Sequence, residues 1–178
     1  TRHVAEDRMK YVVFDLEANG LDVDTVDVHC VVAQIPGEMP CIYRPRLIQR
    51  GVEMLNKHVE EGYTLVGHNI VEYDVPVLRR FGLKVPDTKL YDTLVASRAA
   101  YPGNTLYNRD RKFLARRKEL EGVLKVGAHS LKAWGVRLDE HKGDYTGGFE
   151  SFNEDMLTYC VQDVVVTAKL FELLRQRI

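Results

Sequence analysis

The strongest constraint on this chain is a pair of acids at the end of an apolar run. The run Tyr11–Phe14 is β-branched and aromatic, and the turn signal Ala18–Gly20 closes it, so it is predicted to be a buried strand. Asp15 and Glu17 end this strand. Residues two apart on a strand project from the same face. Burying an acid there is costly unless something neutralises it, and hard divalent cations do so.

Two further acids lie in distant segments. Asp74 ends the motif His68–Asp74, and Asp163 lies in the run Asn153–Arg177, whose apolar residues repeat with helical spacing. Tyr159 precedes Asp163 by four residues, so one helical face would present a phenol beside a carboxylate. Mg²⁺ prefers carboxylate and water oxygens and usually works beside substrate phosphates. Four acids from three segments therefore indicate a two-metal phosphoryl-transfer site.

The three motifs resemble those of the DEDD (DnaQ-like) 3′-5′ exonucleases, a family that includes the proofreading domains of DNA polymerases. A tyrosine four residues before the last acid is typical of the tyrosine subclass. The histidine subclass would place a histidine at Thr158. The resemblance covers residues 9 to about 174 and is strongest with the exonuclease domain of family A DNA polymerases from short-tailed bacteriophages. The segments that carry this closer similarity are 15–19, 73–76, 92–94, 133–135 and 161–167.

The resemblance implies a catalytic role for each matching acid. Asp15, Glu17, Asp74 and Asp163 match the ligands of two divalent metal ions, Mg²⁺ or Mn²⁺. Tyr159 matches the residue that orients the attacking water, a role that suits a phenol because it is protonated at neutral pH. The implied reaction is hydrolysis of DNA from a single-stranded or mismatched 3′ end, which releases nucleoside 5′-monophosphates.

The resemblance also implies three substrate-binding positions. Leu21 stands where relatives have an apolar residue that packs against the terminal bases, and Asn69 matches an asparagine upstream of the second-motif acid. Relatives often have threonine after the glutamate, whereas this chain has Ala18. Only the backbone N–H of Ala18 could therefore serve the substrate.

Several questions of partner and substrate stay open at this stage. The implied partners are a single-stranded 3′ end of DNA and a DNA polymerase domain or subunit, and the chain is either a free-standing enzyme or a domain detached from a polymerase. The same acids also serve RNases of the RNase D and oligoribonuclease type, and no motif reports contact to a 2′-OH. A non-catalytic nucleic-acid-binding module is a third alternative, against which the retention of all four acids argues.

Composition limits the domain count and the compartment. With 178 residues, 45% of them hydrophobic, the chain is long enough for one domain and too short for an exonuclease plus a polymerase. We interpret 9–178 as the exonuclease domain and 1–8 as an N-terminal extension or an artificial remnant. No stretch approaches the roughly 20 apolar residues of a membrane span. The three cysteines, Cys30, Cys41 and Cys160, lack zinc spacing and predict buried, reduced thiols in a cytoplasmic protein, the host cytoplasm if the chain is viral.

The charge of one segment is more informative than the net charge of the chain. The net charge is −1, yet residues 109–118 hold six basic groups against one acid. This segment could follow a DNA backbone, or it could be a solvated helix whose Phe113, Leu114 and Leu120 face the core.

Asp92 precedes a predicted helix, and a cap on that helix is favoured over metal binding.

The order of predicted elements favours an α/β fold of the ribonuclease H-like kind, with a central mixed β-sheet flanked by helices. Strands 28–35 and 41–43 are predicted to be antiparallel partners of the first strand. Region 101–127 is predicted to be loop-rich with one short helix. The remaining predicted elements are helices at 47–61, 75–81, 130–138 and 153–177 and a strand at 64–67.

Overall fold

A central five-stranded sheet organises the molecule, which a computed structural model describes for residues 9–141 and 143–177. The predicted extension 1–8 lies outside the described residues. The strand order is β3-β2-β1-β4-β5; β2 runs antiparallel to β1 and β3, and β4 runs parallel to β1 and β5. The strands are β1 (Tyr11–Ala18), β2 (Val28–Gln34), β3 (Cys41–Tyr43), β4 (Thr64–Gly67) and β5 (Leu90–Asp92).

In the described residues, six α-helices flank this mixed sheet, as the predicted α/β class requires. They are α1 (Ile48–Glu60), α2 (Val75–Arg79), α3 (Thr93–Ala100), α4 (Thr105–Arg116), α5 (Leu131–Arg137) and α6 (Glu154–Arg175). Within the described part of the chain, none of the helices is long and apolar enough to cross a membrane.

Side-chain alternation on β1 sends neighbouring residues to opposite faces of the sheet. Val12, Phe14 and Leu16 pack in the core that includes α1 and α2. Tyr11 and Val13 pack in the core that includes α6. Asp15 and Glu17 continue this second register, so the period of the strand directs both acids toward the last helix.

Two expectations about the edge of the sheet are wrong. Strand β3 pairs with β2 and not with β1, because β1 already has β2 on one side and β4 on the other. Cys41, on this short edge strand, is exposed and not buried. Cys30 and Cys160 are buried free thiols, as predicted.

The region 101–127 is more regular than its sequence predicts. Helix α4 has 12 residues, and a 3₁₀ turn follows at Lys118–Leu120. Glycine and proline near the ends of the region suggested a loop, but burial of Leu106, Asp110 and Leu114 stabilises a helix between them. The basic segment is therefore largely helical. Leu114 faces the core, as the solvated-helix alternative requires, with Phe113 and Leu120 packed at its margin.

The acid of the basic segment forms a buried ion pair. Arg137 on α5 donates through Nε and Nη2 to the two carboxylate oxygens of Asp110, each at 2.8 Å. Asp110 also accepts from the backbone N–H of Gly127 at 2.8 Å, and Arg137 donates to the carbonyl of Ala128. The side chains are 1% and 8% exposed. This pair joins α4, the loop after it and α5.

We predict that Asp110→Ala lowers the free energy of unfolding by about 3–5 kcal/mol, because it leaves a buried guanidinium without its partner. Urea denaturation followed by circular dichroism measures the change. Glu154→Gln is the matched control, since it breaks a pair with Arg44 whose side chains are half exposed. A loss of stability as small for Asp110→Ala as for the control would contradict this assignment.

Candidate active site

The four predicted acids come together on the α6 side of the sheet, with Asp15 at the centre. The carboxyl groups of Asp74 and Asp163 each lie within hydrogen-bonding reach of Asp15. Glu17 is close enough to Asp15 and Asp163 for their charges to interact. Three separate segments therefore supply one carboxylate cluster.

Strand pairing fixes the first two acids. In the antiparallel pairing of β1 with β2, Asp15 lies opposite Val32 and Glu17 lies opposite Cys30. The register shifts between Glu17 and Ala18. Irregularities of this kind often end regular pairing beside active sites. Here the shift follows directly after the second acid.

A π-helical turn delivers the third acid. Asn69 has left-handed backbone geometry, with φ 61°, and the turn Ile70–Asp74 follows and leads into α2. A Cβ added at Gly67 would lie 2.2 Å from Cγ2 of Ile70. Such close approach requires glycine at this position. Turns of the π type are rare and frequently occur at functional sites.

Asp92 holds this turn in place. Its carboxylate accepts the backbone N–H groups of Asn69 at 2.9 Å and Val71 at 3.0 Å. It also accepts the N–H of Leu94 at 2.9 Å, so the predicted cap on α3 is confirmed. Its second role, fixing the turn that carries Asp74, was not foreseen from the sequence.

Helix α6 presents Tyr159 and Asp163 to the cluster. Asn153 caps the helix by accepting the N–H of Met156 at 2.8 Å. The Asn153 amide also donates to the hydroxyl of Tyr145 at 2.7 Å, and the ring centroid of Tyr145 lies 5.6 Å from that of Tyr159. The loop before α6 therefore packs directly against the predicted water-orienting tyrosine.

The three predicted substrate-binding residues belong to the segments that carry the motif acids. Leu21, in the loop after β1, is 90% exposed. Asn69 is half-buried at the start of the π-turn, and Ala18 is buried at the end of β1. All three are thus near the motif acids in the chain, and Leu21 is the one that projects into solvent.

A cavity of about 260 Å³ opens beside the acids. Its lining includes Glu17, Tyr159 and Asp163, together with Lys132 of α5 and Tyr145. A second cavity, of about 740 Å³, continues along α6 past Tyr145 and Tyr159.

The cluster is strongly self-repelling. Burial raises the pKa of Asp15, and the charges of Asp163, Asp74 and Glu17 raise it further. Burial and the charge of Asp163 raise the pKa of Glu17 to about 7. Burial raises the pKa of Asp163 to about 6 and also raises the pKa of Asp74. Without cations, the cluster therefore retains protons at pH values where isolated carboxyl groups are ionised.

This arrangement fits divalent cations. Asp74 is 4% exposed, and its Oδ2 is buried with no hydrogen-bond partner among residues 9–141 and 143–177. Asp15 and Glu17 place ligand atoms within 4.8 Å of one another and of the Cys160 sulfur. A donor set dominated by carboxylate oxygen suits a hard ion such as Mg²⁺ or Mn²⁺.

Cys160 is a neighbour of the site that the sequence analysis missed. Its thiol donates to Oδ2 of Asp15 at 3.7 Å. A hydrogen bond with Cys30 and burial raise the pKa of the Cys160 thiol, so it remains a neutral donor. The helical spacing of three residues between Cys160 and Asp163 was the signal that could have placed both at the cluster.

Comparison with known proteins agrees with this geometry. The sequence profile of a family described as 3′-5′ exonuclease matches residues 4–178. This chain belongs to the 3′-5′ exonuclease family. It is 34% identical over 188 residues to the DNA-directed DNA polymerase of Escherichia phage T7, a match that covers 92% of this chain and 26% of the polymerase. The corresponding polymerase of Enterobacteria phage T3 is 35% identical over 189 residues, with the same coverage. The chain thus spans about a quarter of these relatives.

These matches confirm the predicted DnaQ-like proofreading family and the prediction that the chain is a 3′-5′ exonuclease. They do not bear on the roles of individual site residues.

Solved structures confirm the predicted fold. Brucella melitensis NrnC superposes with a TM-score of 0.65 at 18% identity, covering 96% of this chain and 74% of that protein. A structure of NrnC with bound Mg²⁺ gives 0.62 at 19% identity, with the same coverage. A third, of NrnC bound to pGG, gives 0.62 at 17% identity, again with that coverage. The α/β ribonuclease H-like architecture is therefore shared with nucleases.

We predict that the metal-free protein loses stability as the pH rises from about 4 to about 7, the interval between ordinary carboxyl pKa values and the raised value of Glu17. In this window the unfolded chain releases protons more readily than the folded cluster does, so folding becomes less favourable. Asp163→Asn should flatten this dependence and raise the melting temperature near pH 7.5.

Calorimetry in EDTA across this pH range measures the effect, and Asp87→Asn, at a side chain that is 94% exposed, is the matched control. Mg²⁺ should restore the stability of the parent more than that of Asp163→Asn. The same pH dependence in both variants would count against a repelling cluster.

Proposed function

We propose that this chain hydrolyses DNA from a 3′ end by a two-metal mechanism. In this proposal Asp15, Glu17, Asp74 and Asp163 are the metal ligands, and Tyr159 positions the attacking water. The observation that carries it is the buried group of acids around Asp15, in which Asp74 and Asp163 lie within hydrogen-bonding reach of the central carboxylate. Such a group binds cations in preference to remaining ionised alone.

Two divalent cations, Mg²⁺ or Mn²⁺, would supply activation of a water and stabilisation of charge on the leaving 3′ oxygen. The protein itself contributes the positions of the carboxylates that would hold these cations. The Asp92 carboxylate fixes the turn that carries Asp74, and the Asn153 cap fixes the helix that carries Asp163. The Tyr159 hydroxyl would hold the water by a hydrogen bond and would not need to accept its proton.

The 3′-terminal nucleotide would occupy the cavity of about 260 Å³ beside the acids. Leu21, which is 90% exposed, would pack against the terminal base. Asn69 and the backbone of Ala18 would contact the sugar and phosphate. An unpaired end is favoured as substrate, because unpairing is cheapest at a mismatch or in a single strand.

DNA is the favoured substrate because the phage relatives are DNA-directed DNA polymerases at 34–35% identity. On the same ground we propose that a polymerase domain or subunit is the partner and that the enzyme acts in the host cytoplasm. A second candidate is an oligonucleotide exonuclease that also accepts RNA. The observation that favours it is the likeness to NrnC bound to pGG.

The test is degradation of a 5′-labelled single-stranded DNA oligonucleotide with Mg²⁺, beside a matched RNA. We expect a ladder that shortens from the 3′ end of the DNA, with EDTA and the Asp15→Ala/Glu17→Ala variant both inactive. Faster degradation of RNA than of DNA would favour the second candidate. A double variant as active as the parent would show that the acids are not the site, and no degradation by the parent would favour a binding module.

Tyr159→Phe in the same assay tests the role of the phenol. We expect Mg²⁺ to stabilise this variant as it stabilises the parent, and hydrolysis to slow by about 10- to 1000-fold because one hydrogen bond that positions the water is removed. Tyr63→Phe is the matched control, because this ring packs against the core on the opposite, α1 face of the sheet. An unchanged rate for Tyr159→Phe would remove it from the mechanism.

A further inference from the structure

A third space, a groove, adjoins the cavity of about 260 Å³ that Glu17 and Asp163 line. It has a volume of about 390 Å³ and lies between the N-terminal part of α5 and the loop before that helix. Its lining includes Gly122, Val123, Lys125 and Lys132. Lys132 also lines the cavity beside Glu17 and Asp163, so the two spaces share this side chain. We call the space between Lys125 and Lys132 the lysine groove.

The charges around the acids distinguish this groove from the other open route. Among the described residues, Lys125 and Lys132 are the charged side chains that line the groove. Among the same described residues, the larger cavity along α6 has Asp155 as its charged lining residue. A nucleic-acid strand carries one negative charge per nucleotide, so its phosphates are attracted to the first route and repelled by the second.

The ammonium of Lys132 is available to such a strand. It pairs with Asp144 at 2.8 Å, but the two side chains are 58% and 50% exposed. Exposed pairs of this kind are weak and are readily exchanged for another anion. Val123, which is 39% exposed in the same groove, offers an apolar surface to a base.

We propose that the lysine groove binds the phosphates of a single strand immediately upstream of the 3′-terminal nucleotide. This inference rests on the proposed function, since it assumes that the terminal nucleotide lies beside the acids. It adds the path of the strand: from Glu17 and Asp163, across Lys132, to Lys125. Strands long enough to reach Lys125 bind more tightly than dinucleotides because more of their phosphates meet a lysine.

The experiment measures binding of a single-stranded DNA of about 12 nucleotides and of a DNA dinucleotide, with Ca²⁺ in place of Mg²⁺, at several salt concentrations. For Lys125→Gln/Lys132→Gln we expect the Kd for the longer strand to rise about 10-fold relative to that for the dinucleotide. The slope of log affinity against log salt should decrease in magnitude by about 0.7 for each phosphate that a lysine no longer neutralises. Lys57→Gln, on α1 and thus on the opposite face of the sheet, is the control and should match the parent.

Two further measurements do not depend on lysine variants. Asp144→Asn, which releases Lys132 from its partner, should lower the Kd for the longer strand. In the parent, the longer strand should protect Lys125 and Lys132, but not Lys57, from an amine-reactive reagent detected by mass spectrometry.

The proposal that the lysine groove binds the strand would be overturned by an unchanged ratio of the two Kd values in the double lysine variant. Equal reactivity of Lys125 with and without the strand would also overturn it. Hydrolysis assays of the parent keep this outcome apart from failure of the proposed function. If the parent shortens both oligonucleotides while the lysine variant binds them in the parent's ratio, only the groove is wrong. If the parent hydrolyses neither oligonucleotide, the proposed function itself is wrong.

Discussion

The mutual repulsion of carboxylates around Asp15 is the constraint on which the rest of the site depends. Burial and three neighbouring acids raise the pKa of Asp15, and burial and the charge of Asp163 raise the pKa of Glu17. A fold tolerates such a group only if packing elsewhere offsets its cost. Here the sheet core on one face and the α6 core on the other provide that packing. Bound cations would neutralise the repelling carboxylates directly, which links the stability of this region to its chemistry.

Three local devices keep the acids together against this repulsion. The register shift after Glu17 interrupts the regular pairing of β1 with β2, the π-turn presents Asp74, and the Asn153 cap starts the helix that carries Asp163. Asp92 connects two elements, because it both caps α3 and holds the π-turn. The site is therefore built on the end of a strand, a π-turn and a long helix, where side chains are held more rigidly than in long loops.

Periodicity explains why much of this arrangement was predictable. Spacing of two on a strand placed Asp15 and Glu17 on one face, and spacing of four on a helix placed Tyr159 beside Asp163. Long-range pairing left no such signal. The second role of Asp92 and the burial of Asp110 against Arg137 depend on contacts between segments far apart in sequence. The partner of β3 depends on the long-range pairing of β4 with β1, which leaves β2 as the free neighbour. The length of α4 was missed for the same reason, since its stability comes from residues buried against other elements.

The measurement that tests the central claim most directly is a crystal structure of the chain grown with Mn²⁺ and a nucleoside 5′-monophosphate, with data collected at the manganese absorption edge. This account predicts anomalous peaks for two ions, with Asp15 bound to at least one of them and Asp74, Glu17 and Asp163 completing the ligands. Anomalous peaks elsewhere, with Asp74 and Asp163 still within hydrogen-bonding reach of Asp15 in saturating Mn²⁺, would contradict it.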